Sequence, residues 1–288
     1  MYYWRFRREL CAVLIWCLFL SGCLVRRRIV APLGRRAAKP LLTATKAELI
    51  QKIHDMSDPI RSFTIKVEMS PSIGSLYGGE VTDYPTINGF VIFLKAENIR
   101  VVGLDPVIHT TAFDMVSRGN EFQVYIPSKN QFIQGRNDAA TSSKNKLENL
   151  RPAAFLTALM ISPPDPKSDI ALVQDDTNEE KAVYILTLIR RNRDQYYPVR
   201  NIYFDRYTLQ ISRQKTFDPD GNILSETRYS DWQEHNDVRF PQLIDIQRPK
   251  DGYEVVLKVK DIKSNQPDVT GAKFVLNQPP GSQLKQLQ

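Results

Sequence analysis

The chain has 288 residues, of which 42% are hydrophobic and 10% aromatic, so it is long enough to bury a core of its own. The formal charge is +7, but residues 1–42 hold nine basic side chains and one acidic one, which leaves −1 for residues 43–288. A nearly neutral body has no excess positive charge for a phosphate backbone, so the composition argues against a nucleic-acid partner.

The first 23 residues have the three parts of a bacterial export signal. Arg5, Arg7 and Arg8 make the start positive, and residues 10–20 are an uninterrupted apolar run of eleven residues. A membrane-spanning helix needs roughly 20 apolar residues, so the run has the length of a signal-peptide core. It ends in Leu-Ser-Gly-Cys at residues 20–23, which resembles the lipobox of bacterial lipoproteins.

This resemblance implies that a signal peptide of residues 1–22 is removed and that Cys23 carries the lipid anchor, with acyl chains such as palmitate. Cys11 and Cys17 would leave with the signal peptide, so the mature chain could form no internal disulfide. Leu24 follows the cysteine, and by resemblance to enterobacterial lipoproteins a residue other than Asp favours the outer membrane. The alternative is an ordinary secretory signal that ends near a cysteine.

Residues 23–42 are expected to form a basic, flexible tether after the lipidated cysteine. Pro32, Gly34 and Pro40 discourage regular structure, and the segment has six positive side chains with no negative one. Such charges favour anionic headgroups by about 1 kcal/mol each near a membrane surface. A linker that contacts only solvent remains the alternative.

A helix is predicted to begin after Thr45. Thr45 and Glu48 have the spacing of a capping box, in which each side chain bonds to the other residue's backbone amide. Apolar residues then recur at helical spacing at Leu49, Ile50, Ile53 and Met56. Pro59 is expected to stop the helix.

Strands are predicted to dominate the rest of the chain. Residues 62–69 alternate between apolar and polar, residues 87–94 and 98–104 read as a hairpin, and residues 70–85 read as a long loop. A helical region within residues 147–160 interrupts the strands, which resume to about residue 260. We expect about eleven strands, and the absence of βαβ alternation predicts an antiparallel sheet.

This order of elements resembles the LolA/LolB lipoprotein-carrier family over roughly residues 43–285. Residues 118–127 resemble its Gly-Asn turn before a strand ending in Tyr-x-Pro, and residues 274–281 resemble its closing Phe-x-Phe-x-x-Pro-x-Gly. The resemblance implies a mainly β (α+β) domain over residues 43–288: an incomplete antiparallel barrel with helices capping a hydrophobic cavity that holds acyl chains. The family's polar contacts between barrel and lid find no matching motif here.

Apolar strand and helix residues are the candidates for contact with a hydrophobic ligand. They are Phe63, Ile65, Val67, Val91, Phe93, Val101, Phe113, Met115, Phe122, Val124, Leu156, Leu159 and Met160. The same pattern arises when such side chains fill a closed core, so periodicity leaves both interpretations open.

No catalytic, metal or cofactor motif stands out. His54, His109 and His235 lie far apart without ligand spacing, and no nucleophile elbow, phosphate-binding loop or zinc-protease motif is present. We therefore expect a non-enzymatic, lipid-anchored envelope protein of the outer membrane, facing the periplasm. It would bind acyl chains, lipoproteins or another hydrophobic ligand in lipoprotein or lipid trafficking. The alternatives are a module that binds envelope proteins and an unrecognised hydrolase.

Overall fold

A computed structural model describes residues 40–75, 79–137, 151–192, 194–235 and 238–287. The predicted signal peptide, Cys23 and nearly all of the predicted tether therefore lie outside the described residues. Within these ranges, no helix combines the length and the apolar character needed to cross a membrane.

Helix α1 (Lys46–Ser57) begins where the capping box predicts. The hydroxyl of Thr45 accepts from the amide of Glu48 at 3.3 Å, and the Glu48 carboxylate accepts from the amide of Thr45 at 2.7 Å. Two amides that have no partner within a helix are thereby satisfied. Leu49 and Ile53 are fully buried, so the predicted apolar face packs on the core.

Seven strands precede the second helix in the described residues: β1 (Ser62–Ser75), β2 (Glu80–Asp83), β3 (Ile87–Leu94), β4 (Asn98–Leu104), β5 (Thr111–Arg118), β6 (Glu121–Ile126) and β7 (Gln131–Arg136). Helix α2 (Pro152–Leu159) follows. Eight strands complete the fold: β8 (Ile170–Thr177), β9 (Ala182–Asn192), β10 (Gln195–Asp205), β11 (Ile211–Phe217), β12 (Ile223–His235), β13 (Val238–Arg248), β14 (Tyr253–Ser264) and β15 (Gln283–Gln286).

The strands form one open sheet in the order β15-β7-β6-β5-β4-β3-β1-β14-β13-β12-β11-β10-β9-β8, with β2 paired to β1. Strand β1, near the start of the domain, pairs with β14, near its end, and this pairing joins the two halves of the sheet. The sheet is not closed, since β15 and β8 are its ends, so the predicted mainly β, incomplete barrel is confirmed. The described residues contain fifteen strands, more than the predicted eleven.

Two expectations were wrong in detail. Residues 70–85 are not one loop, because β1 continues to Ser75 and turns back to pair with β2. Gly74 makes this possible, because glycine adopts its φ of 113° without steric cost. A Cβ at this position would also lie 2.1 Å from the carbonyl oxygen of Glu80. The sheet is also not wholly antiparallel, since β15 pairs in parallel with β7.

One hydrophobic core cluster connects both halves of the sheet and both helices. It contains Leu49 of α1, Phe155 of α2, Ile65 of β1 and Leu257 of β14. Helix α2 packs against β4, β5 and β13. The position of α2 over the sheet therefore decides how much space remains beneath it.

Candidate ligand-binding site

Helix α2 is apolar and is held at both ends. At its start, the guanidinium of Arg151 lies 4.5 Å from the centre of the Phe122 ring. At its end, the phenol of Tyr229 donates to the carbonyl oxygen of Ala158 at 2.8 Å, and Nε2 of Gln214 donates to that of Thr157 at 3.0 Å. The last carbonyls of a helix have no partner within it, so these two side chains satisfy groups that would otherwise be left unpaired.

An apolar cavity of about 330 Å³ borders α2 at Phe155. Its walls include Met69, Ile87, Phe113, Met115, Phe155 and Val255. Among the described residues that surround this space, Asp105 is the only charged one. Asp105 is already engaged, since one of its carboxylate oxygens accepts from the amides of Val107 and Ile108 at 2.8 and 3.0 Å. We call this space the apolar cavity.

The loop between β4 and β5 borders the apolar cavity through Asp105 and Pro106 and carries an apolar tip. Val107 is 81% exposed and Ile108 is 67% exposed. The bonds to Asp105 hold this tip in a defined turn, so the exposure belongs to an ordered loop. Two adjacent large apolar side chains are therefore held in solvent beside the apolar cavity.

A second cavity, of about 550 Å³, lies between the end of α1, the turn after β3 and the segment that follows α2. Phe93, Leu156 and Met160 form its apolar wall, and Arg200 of β10 lines it as well. Burial lowers the pKa of the Arg200 guanidinium to about 10, although the nearby charge of Asp169 acts in the opposite direction. We call this space the Arg200 cavity.

The structure distributes the predicted ligand-binding residues over three environments. Phe113 and Met115 line the apolar cavity, while Phe93, Leu156 and Met160 line the Arg200 cavity. The other described candidates are buried in core contacts: Phe63, Ile65, Val67, Val91, Val101, Phe122, Val124 and Leu159. Contact of any of these side chains with a ligand stays a prediction.

Several residues that line the cavities were not predicted from the sequence as ligand contacts. Ile87, Phe155 and Val255 belong to apolar runs that were recognised as strand or helix, yet nothing local distinguishes a cavity wall from a packed core. Arg200 lies in a strand rich in polar and aromatic residues, where one arginine is usually exposed. Its position beside a cavity follows from packing alone.

The solved structures that this chain resembles share its architecture. A LolA superfamily protein from Nitrosomonas europaea aligns with a TM-score of 0.53 and 16% identity over 81% of this chain and 99% of that protein. A DUF1329 family protein from Desulfovibrio piger aligns with a TM-score of 0.52 and 15% identity over 79% of this chain and 94% of its own. At these identities the likeness establishes the fold.

A third structure is a putative outer membrane lipoprotein-sorting protein domain from Vibrio parahaemolyticus, with a TM-score of 0.50 and 11% identity over 79% of this chain and 94% of that one. No curated protein matches the sequence. A family model described as an uncharacterized protein matches residues 110–270, which is more than half of the chain. The chain therefore belongs to the family that this model describes, and its fold is that of the LolA superfamily.

Proposed function

We propose that this protein binds an acyl chain or another hydrophobic ligand in the apolar cavity and takes part in lipoprotein or lipid trafficking at the outer membrane. The observation that carries the proposal is a cavity of about 330 Å³ whose walls are almost wholly apolar. Its volume falls within the ~300–1,000 Å³ of small-molecule sites. A fold shared with a LolA superfamily protein and a lipoprotein-sorting domain supports a binding role over a catalytic one.

The energetics of hydrocarbon favour such a protein. Each methylene removed from water contributes about 0.8 kcal/mol, so a long acyl chain needs an apolar shelter to cross an aqueous compartment. The exposed Val107 and Ile108 lie beside the apolar cavity, where they would bring its entrance to a membrane or to a lipid-carrying partner. Transfer would then follow differential affinity and would require no bond chemistry.

The proposal includes a lipid anchor on Cys23, with residues 1–22 as the signal peptide and residues 23–42 as the tether. The Leu-Ser-Gly-Cys sequence after an apolar run supports it. Replacement of Cys23 by Ser should move the protein from the membrane fraction to the soluble periplasmic fraction and abolish labelling by radioactive palmitate. Unchanged fractionation and labelling would rule out the anchor.

A cavity-blocking variant tests the ligand site. Ala112 is partly buried and lines the apolar cavity, so Ala112→Trp should fill that space with an indole. Ala47 is exposed on α1, and Ala47→Trp makes the same change away from both cavities. Residues 43–288 of each variant would be titrated with a fluorescent long-chain fatty acid, after thermal melting has confirmed folding.

We expect the wild type and Ala47→Trp to take up the fatty acid alike, and Ala112→Trp to lose the binding component that belongs to the apolar cavity. Identical binding in all three proteins would reject this cavity as the site. Mass spectrometry of lipid that co-purifies with the unlipidated domain would identify the natural ligand.

A role as a protein-interaction module is the second candidate, and one observation favours it. Strand β8 is an end of the open sheet, and Ile170 and Leu172 on it are exposed. An unpaired strand edge can accept a further strand from a partner. Loss of partner binding in Ile170→Lys, with fatty-acid uptake intact, would support this candidate against the first.

A further inference from the structure

The Arg200 cavity combines an apolar wall with two positively charged side chains, the partly buried Arg200 and the exposed Lys95. Arg200 lies within β10, where its backbone pairs with Leu188 of β9 and Thr216 of β11. In the parts of the chain that the structure describes, its guanidinium makes no hydrogen bond and no ion pair with another residue. A guanidinium has five N–H donors, so the donors of Arg200 are available for hydrogen bonds to an anion in this cavity.

Three of the acidic groups around the cavity are bonded to other residues. Asp169, which acts on Arg200 electrostatically, accepts from Nε of Arg190 at 2.6 Å. Asp58 is bonded to His54 at 2.9 Å, and Asp165 accepts from the amide of Lys167 and the hydroxyl of Ser168, both at 2.9 Å. Glu97 is exposed in the turn after β3, where water screens its charge.

Burial of Arg200 makes an anionic ligand favourable. Its pKa is lowered because the surrounding protein removes water from the charged guanidinium. An anion that enters the cavity replaces that lost hydration with charge-assisted hydrogen bonds, which are stronger than those between neutral groups. Carboxylate and phosphate both match the planar fork of an arginine.

The apolar wall adds a second requirement for the ligand. Phe93, Leu156 and Met160 line the same space as Arg200, and the prolines at 163, 164 and 166 form part of its border. A free inorganic anion would leave these apolar groups in contact with water. An anion that carries an alkyl chain would cover them and gain hydrophobic energy in proportion to the area buried.

We propose that the Arg200 cavity binds the anionic head group, carboxylate or phosphate, of a single-chain amphiphile whose alkyl chain lies along Phe93, Leu156 and Met160. This site shares no lining residue with the apolar cavity. It would make the protein selective for charged over neutral lipids.

The experiment is done on residues 43–288 carrying Ala112→Trp, which removes the apolar cavity from the measurement. Four probes displace a fluorescent reporter at about pH 8, where both acids are ionised: dodecanoate, dodecyl phosphate, dodecanol and inorganic phosphate. Arg200→Gln removes the charge, and Arg200→Lys keeps a charge without the planar fork. Arg118→Gln removes a positive charge from an exposed position outside this cavity as the matched control.

We expect dodecanoate and dodecyl phosphate to bind about tenfold more tightly than dodecanol, which is the factor for a hydrogen bond to a charged group. That preference should disappear in Arg200→Gln, return in part in Arg200→Lys and persist in Arg118→Gln. Equal binding of dodecanoate and dodecanol to the parent protein would overturn the proposal, as would an unchanged preference in Arg200→Gln. Inorganic phosphate that competes as well as dodecyl phosphate would overturn it in favour of a free-anion site.

Thermal melting checks that each variant folds. If Arg200→Gln does not fold, Leu156→Glu provides the second test, because it places a carboxylate in the cavity from its partly buried position on α2. It should weaken dodecanoate binding much more than dodecanol binding, and an equal effect on both would contradict the proposal. The apolar cavity is blocked by Ala112→Trp in every protein of this series. A negative result for the Arg200 cavity therefore does not bear on the proposed function, which is tested separately by comparing Ala112→Trp with the wild type.

Discussion

The phenol of Tyr229 on β12 donates a hydrogen bond to the carbonyl oxygen of Ala158, in the last turn of α2, at 2.8 Å. Gln214 on β11 makes the neighbouring bond, from Nε2 to the carbonyl oxygen of Thr157. Helix α2 is therefore tied to the second half of the sheet through its carboxyl end, while its side chains also pack on β4 and β5 of the first half. Residues of α2 line both cavities, so this tie bears on the shape of both.

Replacement of Tyr229 by Phe should destabilise the domain by about 1–2 kcal/mol, because the buried carbonyl of Ala158 would lose its donor. Loosening of α2 should also raise amide hydrogen exchange in residues 152–160 more than elsewhere. Urea unfolding and hydrogen exchange measure the two effects. Tyr207→Phe, at a phenol exposed to solvent, is the matched control and should change neither. A stability equal to that of the wild type would show that the bond is replaced by water.

The ion pair between Arg100 and Asp114 should contribute to the attachment of the carboxyl-terminal segment. Nε and Nη2 of Arg100 donate to the two carboxylate oxygens of Asp114 at 2.9 and 2.6 Å, and Nη1 donates to the carbonyl oxygen of Lys273 at 2.9 Å. The carboxylate raises the pKa of Arg100, so the charged pair is mutually stabilised. Removal of one partner leaves the other charge partly buried without compensation.

Asp114→Asn should therefore lower the free energy of unfolding by about 2–3 kcal/mol, measured by urea titration with linear extrapolation. Asp268→Asn is a useful control, because Asp268 pairs with the side chain of Lys273 at the exposed surface, where ion pairs contribute little. Equal losses in the two variants would contradict the importance of the buried pair.

Asp245 should make stability depend on pH in the direction opposite to most carboxylates. Burial, together with the charge of Glu254, raises the pKa of Asp245 to about 6. The folded pKa lies above the ordinary value of 3.8, so this carboxyl contributes stability below that value and the contribution is lost as pH rises through 6. One of its oxygens is also buried without a donor.

Asp245→Asn removes this unfavourable charge. Its free energy of unfolding should therefore exceed that of wild type by about 1–2 kcal/mol near pH 8 and equal it near pH 4. Thermal unfolding at a series of pH values measures the difference. Asp220→Asn, at an exposed position, serves as the control, and its stability should follow that of wild type across the pH series. A gain that does not change between the two pH values would refute the proposed protonation.

The apolar tip formed by Val107 and Ile108 should act in membrane contact without affecting stability. Both side chains are largely exposed, so the double replacement by Ser removes little buried area. Binding to phospholipid vesicles or transfer of bound fatty acid to them should fall about tenfold, since two apolar side chains no longer leave water. Ile170→Ser with Leu172→Ser removes a comparable exposed pair from β8 and should leave transfer unchanged. If both double variants behave alike, the tip has no special role.

Local sequence patterns predicted the elements that depend on neighbouring residues. The capping box at Thr45 correctly placed the start of α1, and the strands at residues 87–94 and 98–104 have the predicted limits. The predicted loop over residues 70–85 failed because β2 is exposed on every residue, so it lacks the alternation by which strands are recognised.

The candidate site shows where such patterns stop being informative. Phe113 and Phe63 have the same apolar character in strands of the same period, yet one borders the apolar cavity and the other is completely buried in the core. Alternation reports which face of a strand turns inward, but the space opposite that face depends on other parts of the chain. Arg200 was missed for the same reason.

By itself, the sequence determined the types and approximate positions of most helices and strands and the concentration of positive charge in residues 1–42, because these depend on residues close together in the chain. Only the tertiary structure decided that β1 pairs with β14, that β15 joins β7 in parallel and that residues of α2 line two cavities. Those features arise from hydrogen bonds and packing between segments about two hundred residues apart, as the bond that the amide of Arg61 donates to Oδ1 of Asn265 illustrates.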